Sequence, residues 1–146
     1  MKNTHFLVAP NETEVQKTFH AAVIAHIDGK SALAIKDFHN QISEALQFPD
    51  YEGTTLEELD EMLNDLSWIG SKQIIIYISN SEDWLSKEKS REKILTIIDM
   101  LDATAEDWKW LDDEEGVDKK ELRIIFQQSD RIQALLEEQE IVFGVL

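Results

Sequence analysis

The chain has 146 residues, 30 of them acidic and 14 Lys or Arg, which gives a formal net charge of -16 at pH 7. This charge argues strongly against direct binding to nucleic acid or to an anionic membrane, and it favours a cationic partner. Because the chain has no cysteine, it offers neither a disulfide framework nor a thiolate metal site. The length suits one domain, and we expect residues 1–146 to form it.

The amino-terminal residues lack the basic region and the long apolar segment of a secretory signal. The longest apolar runs, Ile74 to Ile78 and Ile141 to Leu146, are far too short to cross a bilayer of about 30 Å. We therefore expect a cytoplasmic protein.

Three apolar segments predict the core strands of a sheet, at residues 23–27, 73–79 and 121–127. In the first, His26 is the one polar residue, so we expect that strand to be buried on both faces and His26 to be a core histidine. The other three histidines are expected at the surface. Residues 6–9 and 141–145 are candidates for added edge strands.

Helical spacing of apolar residues predicts helices between these strands. Asn11 to Ala22 forms the first, Ser31 is a candidate cap for the second, Ser90 is a candidate cap for a later one, and the last runs from Ser129 to Gln139. The charged segment 102–120 is predicted to be a loop. Strands that alternate with helices imply parallel pairing through crossover connections, and hence a layered α/β fold.

The segment from Phe48 to Trp68 carries seven acidic residues and no Lys or Arg. A helix begins near Thr54 or Thr55, and its four leucines fall within about 80° of each other, which predicts a core-facing stripe. These leucines are Leu56, Leu59, Leu63 and Leu66.

Beside this stripe lies a strip of polar residues. Glu57, Asp60 and Glu61 fall, together with Asn64, within about 100° of each other. Tyr51 precedes the helix and is the kind of amphipathic aromatic residue that is enriched at interfaces. The alternatives are an acidic surface that serves only solubility, and a tyrosine that packs within its own loop.

The motifs of nucleotide-binding, serine-hydrolase and zinc-protease sites are absent from the sequence. The four histidines fall on separate predicted elements without ligand spacing, and the run Asp112 to Gly116 does not fit a calcium-binding EF-hand loop. We therefore expect no catalytic residues, no cofactor and no bound metal.

The sequence resembles the barstar family of intracellular ribonuclease inhibitors. The resemblance rests on the Ile27-Asp28-Gly29 turn, on the segment Phe48 to Gly53, on the acidic helix ending in Asp65-Leu66-Ser67-Trp68, and on the order of the elements. It covers residues 22–127. It implies a small parallel sheet flanked by helices, in which an acidic helix and the loop before it plug the cationic active site of a nuclease.

The resemblance also implies which residues bind the partner. Tyr51 matches the family's loop tyrosine, and Glu57 and Glu61 match helix carboxylates that contact the nuclease. Both carboxylates are Glu where the family's namesake has Asp, and Asp60 replaces a partner-facing tryptophan. A further acidic contact matches the region Asp99 to Asp102.

Two functions follow as hypotheses. In the first, the protein is an inhibitor or immunity protein that binds a basic nuclease through Tyr51, Glu57, Asp60 and Glu61. In the second, it is a non-inhibitory acidic interaction module that uses the same fold, because fold alone does not settle function. Protection from a nuclease in cells separates the two, and so does a nuclease gene beside the gene for this chain. The oligomeric state and the partner's identity are not readable from the sequence.

Overall fold

The computed structural model describes residues 5–48, 56–109 and 120–146. Within these residues, one helix connects each strand to the next, except that two helices lie between the second and third strands. The strands are β1 (Phe6–Ala9), β2 (Val23–Asp28), β3 (Gln73–Ser79), β4 (Glu121–Gln127) and β5 (Phe143–Val145). The helices are α1 (Glu12–Thr18), α2 (Ile35–Ala45), α3 (Leu56–Asp65), α4 (Arg91–Lys109) and α5 (Asp130–Glu138).

All five strands pair in parallel, in the order β2-β3-β4-β1-β5. The predicted α/β fold with a parallel sheet is therefore confirmed, and all three segments predicted to be core strands do form strands of that sheet. Both candidate edge segments extend the sheet, but only β5 lies at an edge. β1 lies between β4 and β5, and its four residues are buried.

The prediction that β2 is buried on both faces is wrong. β2 forms the other edge of the sheet, with a single neighbouring strand. Ala25 and Ile27 are buried, whereas Val23 is 38% exposed and His26 lies at the surface. Its apolar composition therefore reflects one buried face and a partly covered second face.

The sheet separates two apolar cores. On one face of β3, Ile74, Ile76 and Ile78 pack in the larger core, to which α2, α3, α4 and α5 contribute. On the other face, Ile75 and Tyr77 pack in a smaller core, beneath Val15 of α1. Burial on both faces explains why β3 reads as an unbroken apolar run rather than as an alternating pattern.

Two predicted helix starts are confirmed by their caps. The side chain of Ser129 accepts a hydrogen bond from the Ile132 N–H, and Ser90 accepts one from the Lys93 N–H. Ser31, in contrast, does not cap α2. The N–H groups of Ser31 and Ala32 both donate to the Asp28 carbonyl and form a turn, so the helix begins only at Ile35.

Two predicted helix ends also differ from the structure. α1 ends at Thr18 rather than at Ala22, because Phe19 leaves the helix to pack against the smaller core. α4 runs on to Lys109, although residues 102–120 were expected to form a loop. Buried Ala105 and Trp108 continue its apolar face among the charged residues. None of the helices in the described ranges is long and apolar enough to cross a membrane.

Candidate protein-binding surface

The leucine stripe of α3 faces the core, as predicted. Leu59 and Leu63 are fully buried, as is Leu66 directly after the end of α3, and Leu56 is half-buried against the same core. The indole of Trp108 on α4 donates a hydrogen bond of 2.8 Å to the Leu63 carbonyl. The buried stripe and this bond hold α3 in a fixed position against α4.

Two of the predicted binding residues present their carboxylates to solvent. Glu57 and Glu61 are exposed on α3, and neither side chain makes a salt bridge or hydrogen bond with another described residue. Since they lie four residues apart, they are neighbours on the helix surface and repel each other. A cationic partner that binds both would relieve this repulsion.

Asp60 has a different environment from the two glutamates. It is half-buried, and its Oδ1 accepts hydrogen bonds from Thr104 Oγ1 of α4 at 3.0 Å and from Asn64 Nδ2 at 2.9 Å. Asp60 therefore joins α3 to α4, a contact that the spacing of residues along the chain does not indicate. Tyr51 lies outside the described residues.

The carboxylates of α4 fall on two flanks of that helix. At 100° per residue, exposed Asp107 lies about 60° from Thr104 and so on the α3 side. Asp102, which belongs to the predicted contact region Asp99 to Asp102, lies about 160° from Thr104 and contacts His5 instead. By helical angle, Asp107 is thus nearer to the α3 side of α4 than Asp102 is.

The turn at Ile27-Asp28-Gly29, on which the resemblance partly rests, lies beside the end of β3. The Gly29 N–H donates to the Ser79 carbonyl at 2.8 Å. The Asp28 carboxylate accepts from the Asn80 side chain at 2.9 Å, and this bond holds the pKa of Asp28 below its usual value. The turn therefore fixes the ends of β2 and β3 together.

A second polar cluster lies on the sheet face that carries α1. His26 Nε2 lies 2.7 Å from Ser79 Oγ, and His26 Nδ1 lies 3.5 Å from Glu12 Oε2. A catalytic site at this cluster would need a hydrogen-bond donor for a developing oxyanion. The neighbouring Asn80 N–H is not free for this role, because it donates to Gln127 Oε1 at 2.7 Å. The cluster joins α1, β2 and β3 across the edge of the sheet.

The histidine predictions are corrected by the structure. His39, expected at the surface, is buried, whereas His26, expected in the core, is exposed. His5 is mostly buried and lies between two carboxylates of α4, Asp102 and Glu106. Sequence spacing missed this last cluster because His5 lies 97 residues from Asp102 along the chain.

Residues 22–127 match the model of the family described as barstar (barnase inhibitor). The chain belongs to the barstar family. The match confirms the resemblance and its extent, and it covers β2, β3 and β4 with α2, α3 and α4. The other elements of this barstar-family protein, β1, α1, α5 and β5, lie outside the matched stretch.

Among solved structures, the chain is similar to the crystal structure of Cdc6p from Pyrobaculum aerophilum. The two share 13% sequence identity with a TM-score of 0.53, over 97% of this chain and 38% of that one. The chain thus spans well under half of that protein, and the likeness concerns the fold alone. No curated protein matches the chain at a significant level.

Proposed function

We propose that this barstar-family protein is an intracellular inhibitor or immunity protein of a basic ribonuclease or nuclease toxin. It blocks the enzyme by placing α3 in the cationic active site. The observation that carries the proposal is the pair Glu57 and Glu61, exposed one turn apart on a helix whose other face is buried. Asp60, and Tyr51 from the segment that precedes α3 in the sequence, complete the proposed binding surface.

The chemistry of a nuclease active site supports this function. Such a site holds phosphates with Arg, Lys and His side chains, and carboxylates form charge-assisted hydrogen bonds with the same groups. Because α3 is fixed to the core through Leu59 and Leu63, its carboxylates are positioned before binding. Less conformational freedom is then lost in the complex.

The charge of the whole chain acts in the same direction. A net charge of -16 attracts a basic enzyme over a distance, which speeds association at low salt. Barnase with barstar, the namesake of this family, is an established example of such steering. We expect the same dependence here, with association slowed as the ionic strength rises.

A co-expression screen tests the proposal. The chain is produced together with each member of a panel of basic ribonucleases and nuclease toxin domains, and both survival of the cells and capture of the nuclease are scored. We expect at least one enzyme to be captured and its toxicity to be suppressed. Capture without protection would instead support the non-inhibitory interaction module, and failure to capture any enzyme would contradict inhibition of a nuclease.

A further inference from the structure

His5, Asp102 and Glu106 form a cluster that the proposed nuclease-binding surface does not use. His5 directly precedes β1, while Asp102 and Glu106 lie one turn apart on α4. Ligand atoms from the three side chains all lie within 4.8 Å of one another. The imidazole is 14% exposed and the carboxylates are 39% and 44% exposed, so the cluster opens to solvent on the side of α4.

Among the residues that the structure describes, one ring nitrogen of His5 has no hydrogen-bond partner. Nε2 lies 2.6 Å from Asp102 Oδ1, so in the neutral ring it is the donor nitrogen. Nδ1 is then an acceptor. It is buried, and no described residue donates a hydrogen bond to it, while another acceptor, Oε2 of Glu106, lies 3.5 Å away. A cation bound between two such acceptors would stabilise both.

That cation is either a proton or a metal ion, and the distance between the two acceptor atoms distinguishes these alternatives. A charge-assisted N–H···O bond spans about 2.7 to 2.9 Å. Two ligands of a tetrahedral Zn²⁺, each about 2.0 to 2.1 Å from the ion, lie roughly 3.3 to 3.4 Å apart. The separation of 3.5 Å between Nδ1 of His5 and Oε2 of Glu106 fits the metal better than the proton.

Asp102 has the position of a supporting residue in such a site. A histidine that binds a metal through one nitrogen commonly donates its other N–H to a carboxylate, which fixes the ring orientation and raises ligand basicity. The contact between His5 Nε2 and Asp102 Oδ1 is of this kind. The surrounding charge also favours a cation, because the second carboxylate, Glu106, lies four residues away on the same helix.

We propose that His5 Nδ1 and the Glu106 carboxylate bind a divalent transition metal ion of the Zn²⁺ type, with Asp102 orienting His5 and water completing the coordination. Imidazole and carboxylate ligands together suit Zn²⁺ better than Mg²⁺, which prefers oxygen alone. The ion would connect the residue before β1, outside the stretch matched to the family, with α4 inside it. Binding therefore stabilises the attachment of the amino-terminal strand.

The test is a titration of the purified chain with ZnCl2, followed by calorimetry and by thermal unfolding, with MgCl2 for comparison. We expect one Zn²⁺ site and an unfolding temperature that rises with Zn²⁺ but not with Mg²⁺. Glu106→Gln, at a half-exposed position, and His5→Gln should remove the site. Asp102→Asn should weaken it by roughly 10- to 100-fold.

The pair His26 and Glu12 supplies a matched control, because the distance from Nδ1 to Oε2 is also 3.5 Å there. It differs from the His5 cluster in two ways: Ser79 replaces the supporting carboxylate, and the imidazole is more exposed. His26→Gln should leave Zn²⁺ binding unchanged. The proposal is overturned if His26→Gln lowers binding as much as His5→Gln, which indicates general attraction to an acidic surface. It is equally overturned if Zn²⁺ changes nothing and His5 serves only as a protonated ion-pair partner.

Discussion

The hydroxyl of Thr104 on α4 donates a hydrogen bond of 3.0 Å to Oδ1 of Asp60 on α3. Thr104 is fully buried, so this bond lies where the two helices meet rather than in solvent. Asp60 therefore differs from Glu57 and Glu61, since one of its carboxylate oxygens already accepts hydrogen bonds from within the protein. Its contribution to a partner would come through the remaining oxygen, held in place by α4.

Replacing Thr104 by Val removes this hydrogen bond while keeping the shape of the side chain. Because Asp60 retains Asn64 as a donor, we expect a loss of about 1 kcal/mol in the free energy of unfolding. The midpoint of urea denaturation measures the loss, with Thr104→Ser as the control that keeps the hydroxyl. An unchanged midpoint in Thr104→Val would show that the bond contributes nothing.

Gly29 is required by the close approach of the end of β3 to the turn after β2. A Cβ at this position would lie 2.3 Å from the Asn80 carbonyl oxygen and 2.5 Å from that of Ser79. Gly29→Ala must displace backbone, and we expect it to cost about 1 to 3 kcal/mol or more. Gly70→Ala is the control, because an added Cβ there meets nothing within 4 Å. If chemical denaturation gives the two variants equal stability, the close approach at Gly29 is wrong.

Burial raises the pKa of the Tyr77 phenol to about 12, and the nearby Glu12 carboxylate adds to the shift. In the unfolded chain the same group titrates near 10. The contribution of the neutral Tyr77 phenol to the free energy of unfolding is therefore fully present below pH 10. Between pH 10 and 12 only the unfolded chain loses this proton, so the free energy of unfolding falls by up to about 3 kcal/mol. Denaturation at several pH values measures this fall. Tyr77→Phe should lack this component, and an identical fall in that variant would assign it to other groups.

Asp107 is expected to contribute to the acidic surface, although no pattern in the sequence singles it out. It is exposed on the flank of α4 nearest α3. Asp107→Lys should weaken binding to a captured nuclease and make it less sensitive to salt. Glu92→Lys, an exposed position in the first turn of the same helix, changes the charge equally and should have a smaller effect. Equal effects of the two variants would mean that only total charge matters.

Much of the fold could be predicted because burial leaves a local signature. The run Ile74 to Ile78 marked a central strand, and the leucine spacing identified the inner face of α3, because each pattern depends on the environment of one element. The position of β2 at the edge could not be read in the same way. Strand order is set by pairing between distant segments. Ala25 and Ile27 would be apolar whether β2 lay at the edge or in the centre of the sheet.

The candidate site was predictable only in part, for a similar reason. Exposure of Glu57 and Glu61 follows from their angle to the leucines of the same helix. The bond from Thr104 to Asp60 and the contact of His5 with Asp102 join residues 44 and 97 positions apart. No local pattern encodes such contacts, and Tyr51 stays a prediction because it lies outside the described residues.

The most direct test of the central claim is a ribonuclease inhibition assay with the double variant Glu57→Lys plus Glu61→Lys. Its control is Glu82→Lys plus Glu137→Lys, which changes the net charge equally at exposed positions outside α3 and α4. Against a panel of basic ribonucleases, we expect the wild-type chain and the control to inhibit the same enzyme. The α3 variant should lose about 100-fold or more in affinity, since attraction becomes repulsion at the contact. Equal inhibition by the α3 variant, or an equal loss in the control, would contradict the assignment of α3 as the inhibitory surface.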